Sequence, residues 1–173
     1  AVTQVLLERT QDDKSVSMTL THTSAGWQLP DESDFSADTS RVIELLSKLS
    51  SLKTGLPVAV TEEAARRFHV ARDAFATRVT LSAGSHQSVL YVGDAAGANL
   101  VYVRVAGSHD IYALALPDWL LSTDVASWQD NNALFVDATH MTGVTLPGVA
   151  LVRKGNAWQL AKAGMPSDRK SVV

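Results

Sequence analysis

Residues 75–116 read FATRVTLSAGSHQSVLYVGDAAGANLVYVRVAGSHDIYALAL. Four runs within it carry strand signals: Phe75 to Ser82, Gln87 to Val92, Leu100 to Val105 and Asp110 to Leu116. Val79 and Leu81, Leu90 and Val92, then Val101, Val103 and Val105 recur at a spacing of two, the period of a strand with one buried face. In the last run Ile111, Ala113 and Ala115 oppose Tyr112, Leu114 and Leu116. Ala83-Gly84-Ser85, the stretch from Gly93 to Asn99, and Gly107-Ser108 supply turn residues between the runs. A chain that reverses after each short run pairs antiparallel, so we expect a meander here.

The N-terminus repeats the pattern. Val2 to Glu8 is short and apolar, Gln11 to Lys14 is a polar turn, and Ser15 to His22 alternates, with Val16, Met18 and Leu20 on one face. Gly26 turns the chain, Trp27-Gln28-Leu29 pairs back, and Pro30 stops it. Asp31 to Asp38 reads as an acidic linker. Beyond it Val42, Leu45, Leu46, Leu49 and Leu52 make one helical stripe, with N-caps offered by Asp38, Thr39 and Ser40 and stops at Gly55 and Pro57. A second helix starts at Thr61, with Glu62-Glu63 in its first turn, Arg66-Arg67 near its end and Phe68 turned inward. Pro117 opens a short helix, Asp118 to Leu121. Val125 to Asn132 is polar apart from Trp128, and Leu134-Phe135-Val136 is a short apolar segment.

The C-terminal part echoes the first. Leu20 to Leu29 and Leu151 to Leu160 share their length, a turn, and a closing Trp-Gln-Leu. Val5-Leu6-Leu7 precedes one and Val144-Thr145-Leu146 the other, and helix-like starts follow at Asp38 and Ser167. We therefore expect an α+β fold of antiparallel β-meanders, helices packed on one face, and a partial internal repeat. Its units are 1–60, 61–136, and 137–173 as the truncated start of a second copy.

Composition bounds the function. The chain has 173 residues, 46% hydrophobic and 19% charged, enough for one ordinary domain core. Its net charge of −3 gives no electrostatic footprint for nucleic acid. With no Cys, disulfides, thiolate metal sites and a Cys nucleophile are excluded. No apolar run reaches the roughly 18 residues of a membrane span. The chain opens on Ala1 without Met or a leader, so we expect a processed protein or a piece of a longer one.

Candidate chemistry is sparse. His22, His69, His86, His109 and His140 show no metal-ligand spacing. Ser108-His109-Asp110 spells the letters of a triad, but neighbours on a strand point to opposite faces, and turn composition explains them. The glycines of 93–99 lack the Lys and the following helix of a phosphate loop. We expect no catalytic residue, metal or cofactor. The best candidates for a ligand or partner surface are Trp119, Trp128 and Tyr112.

In order along the chain, several features resemble the bacterial domain-of-unknown-function family 4340. They are Gly26-Trp27-Gln28-Leu29-Pro30, the Leu-rich helix, Thr61-Glu62-Glu63, Arg78-Val79-Thr80-Leu81 and Tyr91-Val92-Gly93-Asp94. Val101-Tyr102-Val103-Arg104, Ile111-Tyr112-Ala113-Leu114 and Trp128-Gln129-Asp130 through Leu134-Phe135 complete the set. One departure is Phe68-His69-Val70, where the family has a Tyr/Phe-Gly-Leu turn. The resemblance implies a periplasmic or otherwise extracytoplasmic envelope protein whose N-terminal membrane helix lies outside this chain. A transporter is its implied partner. The function expected is a non-enzymatic module accessory to a transporter or its assembly. The alternative is an extracytoplasmic domain binding glycan, peptide or lipid in the groove between lobes.

Overall fold

The computed structural model describes residues 1–11, 14–134, 142–146, 149–155 and 157–160. The chain divides into two compact units, 1–131 and 132–173.

The first unit is built on one antiparallel sheet. Its strands are β1 (Gln4–Gln11), β2 (Lys14–Thr23), β3 (Gly26–Leu29), β4 (Phe35–Ser36), β5 (Thr77–Ala83), β6 (His86–Gly97), β7 (Leu100–Val105) and β8 (Ile111–Leu114). They lie in the order β4-β3-β2-β1-β5-β6-β7-β8. Both expected meanders are present and share this sheet, because β1 pairs with β5 from Gln4 opposite Ser82 to Arg9 opposite Thr77. The boundary expected near residue 60 therefore falls inside one unit. The architecture is mostly antiparallel sheet with few helices.

Helix α1 (Thr39–Ser50) forms where the stripe predicted it. Asp38 caps it, accepting the backbone N–H groups of Ser40 at 2.9 Å and Arg41 at 3.2 Å. Val42 and Leu45 are fully buried among Val5, Leu7, Met18, Leu20, Leu29, Val79, Val92 and Val103. Burying each such side chain contributes about 1.5–3 kcal/mol. The same face takes Leu120 and Leu121, from a 3₁₀ turn at Asp118–Leu121, and Trp128, from another at Val125–Trp128. Trp128 is wholly buried despite its polar sequence neighbours, and its indole N–H donates to Ser122 O at 2.8 Å.

Helix α2 (Glu62–Arg67) packs on the opposite face, which corrects the expectation that all helices share one side. Period-two alternation decides this. Ala65, Phe68 and Val70 meet Val89, Tyr91, Tyr102 and Ile111, the strand residues whose neighbours Leu90, Val92, Val101 and Val103 face α1. The Phe68 and Tyr102 rings stack at 3.9 Å.

Two further expectations change. The stretch from Asp31 to Asp38 is not a plain linker: Pro30–Glu32 makes a 3₁₀ turn and Phe35–Ser36 pairs with β3 as an edge strand. The stretch from Gly93 to Asn99 is not one loop either. Strand β6 runs on to Gly97 through register shifts between Val92 and Ala95 and between Ala95 and Gly97. Those irregularities break the period, so no local pattern reveals the part of the strand beyond Val92. The reversal falls at Gly97 and Asn99, both with positive φ.

The second unit contains β9 (Gly143–Leu146), β10 (Val149–Lys154) and β11 (Ala157–Leu160), ordered β11-β10-β9. Trp158 lies opposite Arg153 as Trp27 lies opposite His22, and Val144 opposite Leu151 as Val5 lies opposite Leu20. The helix-like start at Ser167 and the apolar pair Phe135-Val136 lie outside the described residues.

Gly93 holds α2 in place. A Cβ there would sit 1.9 Å from Phe68 O and 2.8 Å from Val70 Cγ1. The tight contact lets Asp94 N–H reach Phe68 O at 3.1 Å, and Asp94 Oδ2 pairs with His69 Nδ1 at 2.8 Å. Gly93→Ala should destabilise the unit by at least about 3 kcal/mol, the upper range for overpacking. Gly55→Ala, at a site with open space, should be neutral or nearly so. Urea unfolding of both variants checks this; equal midpoints would show that the approach is not tight.

Candidate functional site

The face that carries α2 also carries a wide concavity. It is a cavity of about 740 Å³. Its floor is two cross-strand rows that follow from the strand register. One row is Glu8, Arg78, Tyr91 and Arg104, on β1, β5, β6 and β7. The other is Leu6, Thr80, Val89 and Ala106. Glu62 of α2, Arg72 and Asp73 form one wall, and the Gly107-Ser108-His109 turn forms the other.

The charged row is fixed from both ends. Arg78 donates from Nε and Nη2 to the two carboxylate oxygens of Glu8, at 2.6 and 2.5 Å. That fork pushes the Arg78 guanidinium above its ordinary value, against the opposing effect of burial. Arg104 is only 6% exposed. It donates from Nε to Val70 O at 2.8 Å and from Nη1 to Glu62 Oε1 at 2.7 Å. His109 Nδ1 stands 3.7 Å from the same Glu62 oxygen. The α2 segment thus supplies both partners of the buried arginine, a backbone carbonyl and a carboxylate.

A second concavity, of about 320 Å³, opens on the α1 face. Leu49, Leu52, Leu81, Leu90, Val103, Tyr112 and Leu114 line it. It exists because eight strands span roughly 34 Å and one helix is roughly 10 Å wide, so α1 leaves part of the face uncovered.

The predicted site residues are not brought together in one pocket. Tyr112 lines the apolar groove and donates to Asp110 Oδ2 at 3.3 Å. Trp128 is in the core. Trp119 is half-exposed, and both indole rings lie beside the Arg41 guanidinium, at 5.3 Å for Trp119 and 4.5 Å for Trp128. Ser108 Oγ accepts the Asp110 N–H at 3.1 Å within the β7–β8 turn. Sequence reasoning missed Glu8, Arg78, Tyr91 and Arg104. The available signal was a large polar side chain flanking a core Val or Leu in four separate strands. Among the described residues no three His, Asp or Glu side chains converge as a metal site. None of the described helices is long and apolar enough to cross a membrane.

The first unit is thus an antiparallel sheet with a helix on each face and an ion-paired cavity under the shorter helix. The chain belongs to the family described as a domain of unknown function, DUF4340, whose model matches residues 27–171. No curated protein and no solved structure matches it.

The Tyr112 phenol is held above its ordinary value, first by burial, then by the charge of Asp110 and the hydrogen bond to it. A raised folded value stabilises the fold below the ordinary phenol range of about 10, and that contribution is lost as pH rises through the folded value. Asp110→Asn should lower the Tyr112 midpoint without bringing it fully back, since burial remains. Ultraviolet difference titration against Tyr112→Phe measures it; an unchanged midpoint would remove Asp110 from the account.

Proposed function

We propose that this chain is a non-enzymatic binding module and that the cavity under α2 is its recognition site. The observation that carries the reading is the pairing on the cavity floor. All three acids that line the cavity act as counter-ions to arginines, Glu8 to Arg78, Glu62 to Arg104 and Asp73 to Arg66. A general acid or base has instead to present its carboxylate or imidazole to a ligand. A wide cavity with prearranged charge suits recognition.

The family resemblance supports the rest of the proposal. The module lies outside the cytoplasm, on a parent anchored by an N-terminal membrane helix, and serves a transporter or its assembly. The shared strand register of β9–β11 and β1–β3 supports reading the second unit as a partial repeat of the first. The second reading, an extracytoplasmic domain for glycan, peptide or lipid, is favoured by one feature: the cavity crosses the β1–β5 seam, where the two expected lobes meet.

A photo-crosslinking residue at His109, on the cavity rim, tests the proposal in cells making the full-length protein. We expect an adduct with a membrane-protein partner that the same probe at exposed Glu44, on α1, does not give. No adduct at His109, or identical adducts from both positions, would contradict it.

A further inference from the structure

We infer that the cavity seats one carboxylate between Arg78 and Arg104, over Tyr91, with a short apolar body lying along Leu6, Thr80, Val89 and Ala106. The inference rests on the binding-module reading and names its ligand chemistry.

Three donors carry it. Glu8 occupies Nε and Nη2 of Arg78; Val70 O and Glu62 occupy Nε and Nη1 of Arg104. Among the described residues, Arg78 Nη1, Arg104 Nη2 and the Tyr91 hydroxyl have no hydrogen-bond partner. None of them is a sealed, unsatisfied atom, since Arg41 Nε alone has that status among the described side chains. All three residues line the same cavity. They sit on adjacent strands β5, β6 and β7, with Arg78 opposite Tyr91 and Tyr91 opposite Arg104. The two arginine Cα atoms are therefore roughly 10 Å apart, with Tyr91 on the strand between them.

Charge selects the ligand further. The cavity lining pairs Arg72, Arg78 and Arg104 with Glu8, Glu62 and Asp73, a formal balance of zero. A phosphate dianion would add its charge beside Glu8 and Glu62 with no excess cation to offset it. A monoanion such as a carboxylate adds less, and its two oxygens can each accept a charge-assisted hydrogen bond from one of the free arginine nitrogens. The fixed partners of each arginine hold its plane before the ligand arrives, which reduces the ordering cost of binding. Next to the charged row, Leu6, Val89 and Ala106 offer an apolar strip interrupted only by Thr80. The ligand is thus a carboxylate on a short apolar body, from either a peptide C-terminus or an aliphatic acid.

Calorimetric titration of the full chain tests this with N-acetyl-Ala-Val, its C-terminal amide, hexanoate and inorganic phosphate. We expect at least one of the two carboxylates to bind. N-acetyl-Ala-Val alone would indicate a peptide end, and hexanoate alone an aliphatic acid. The amide should bind at least about tenfold more weakly than N-acetyl-Ala-Val wherever the peptide binds, the scale of a lost charge-assisted hydrogen bond. Tyr91→Phe and Arg78→Lys should weaken carboxylate binding while leaving the circular dichroism spectrum unchanged; they keep the test valid where an Arg104 variant fails to fold. Equal binding of acid and amide, tighter binding of phosphate, or unchanged binding by folded Tyr91→Phe and Arg78→Lys would overturn the inference. If neither carboxylate binds while His109 still crosslinks its partner, the carboxylate seat is wrong and the binding module stands. If both fail, both are wrong.

Discussion

The pairing of β1 with β5 is the constraint on which the first unit depends. It joins residues far apart in sequence; Glu8 and Arg78, side by side across it, are 70 positions apart. Closing so long a loop costs entropy that local hairpins do not incur. Burial on the α1 face offsets that cost: Val5 and Leu7 of β1 and Val79 of β5 all belong to the core that Val42 and Leu45 complete. Once β1 and β5 are in register, alternation fixes the other face as well. Glu8 then falls beside Arg78, and the charged row extends through Tyr91 to Arg104.

The second constraint is the docking of α2. A six-residue helix is marginal by itself and needs tertiary contacts. Gly93 gives it a close seat, Thr61 caps its start with a hydrogen bond to Ala64 N–H, and Phe68 stacks on Tyr102. That placement sets Glu62 and Val70 O against the Arg104 guanidinium. An arginine this buried would be costly without both partners. The helix and the cavity are consequently one construction, in which packing at Gly93 positions the charge that lines the wall. His69, just past the end of α2, has φ +53°, and its pair with Asp94 accompanies that strained conformation.

Much of this was legible in the chain and some was not, for physical reasons. Strands β2, β5, β7 and β8 follow from alternation and α1 from its stripe and cap, since these are local signals. Strand β4 has two residues and hides in an acidic stretch, and β6 is lengthened by bulges that destroy the period. The opposite placement of α1 and α2 depends on which residues of β6 and β7 face each way, a question of register that no single segment answers. Trp128 reads as a ligand or partner candidate because it falls near a possible lobe junction; the core takes it because its ring and indole N–H both find partners there. The cavity residues escaped for a related reason. Each reads, within its own strand, as an ordinary outward-facing residue, and only the pairing of four strands puts them in a row.

The β1–β5 seam should make residues 1–131 one cooperative body rather than two lobes. Native-state hydrogen exchange across a denaturant series measures this most directly. The backbone amides of β1, β2, β5 and β6 that lie in the ladder should exchange through a single opening with one free energy and one denaturant dependence. If the amides of β1 and β2 open separately from those of β5 and β6, with a distinctly lower free energy, the two-lobe division near residue 60 is right and the seam is not what holds the fold.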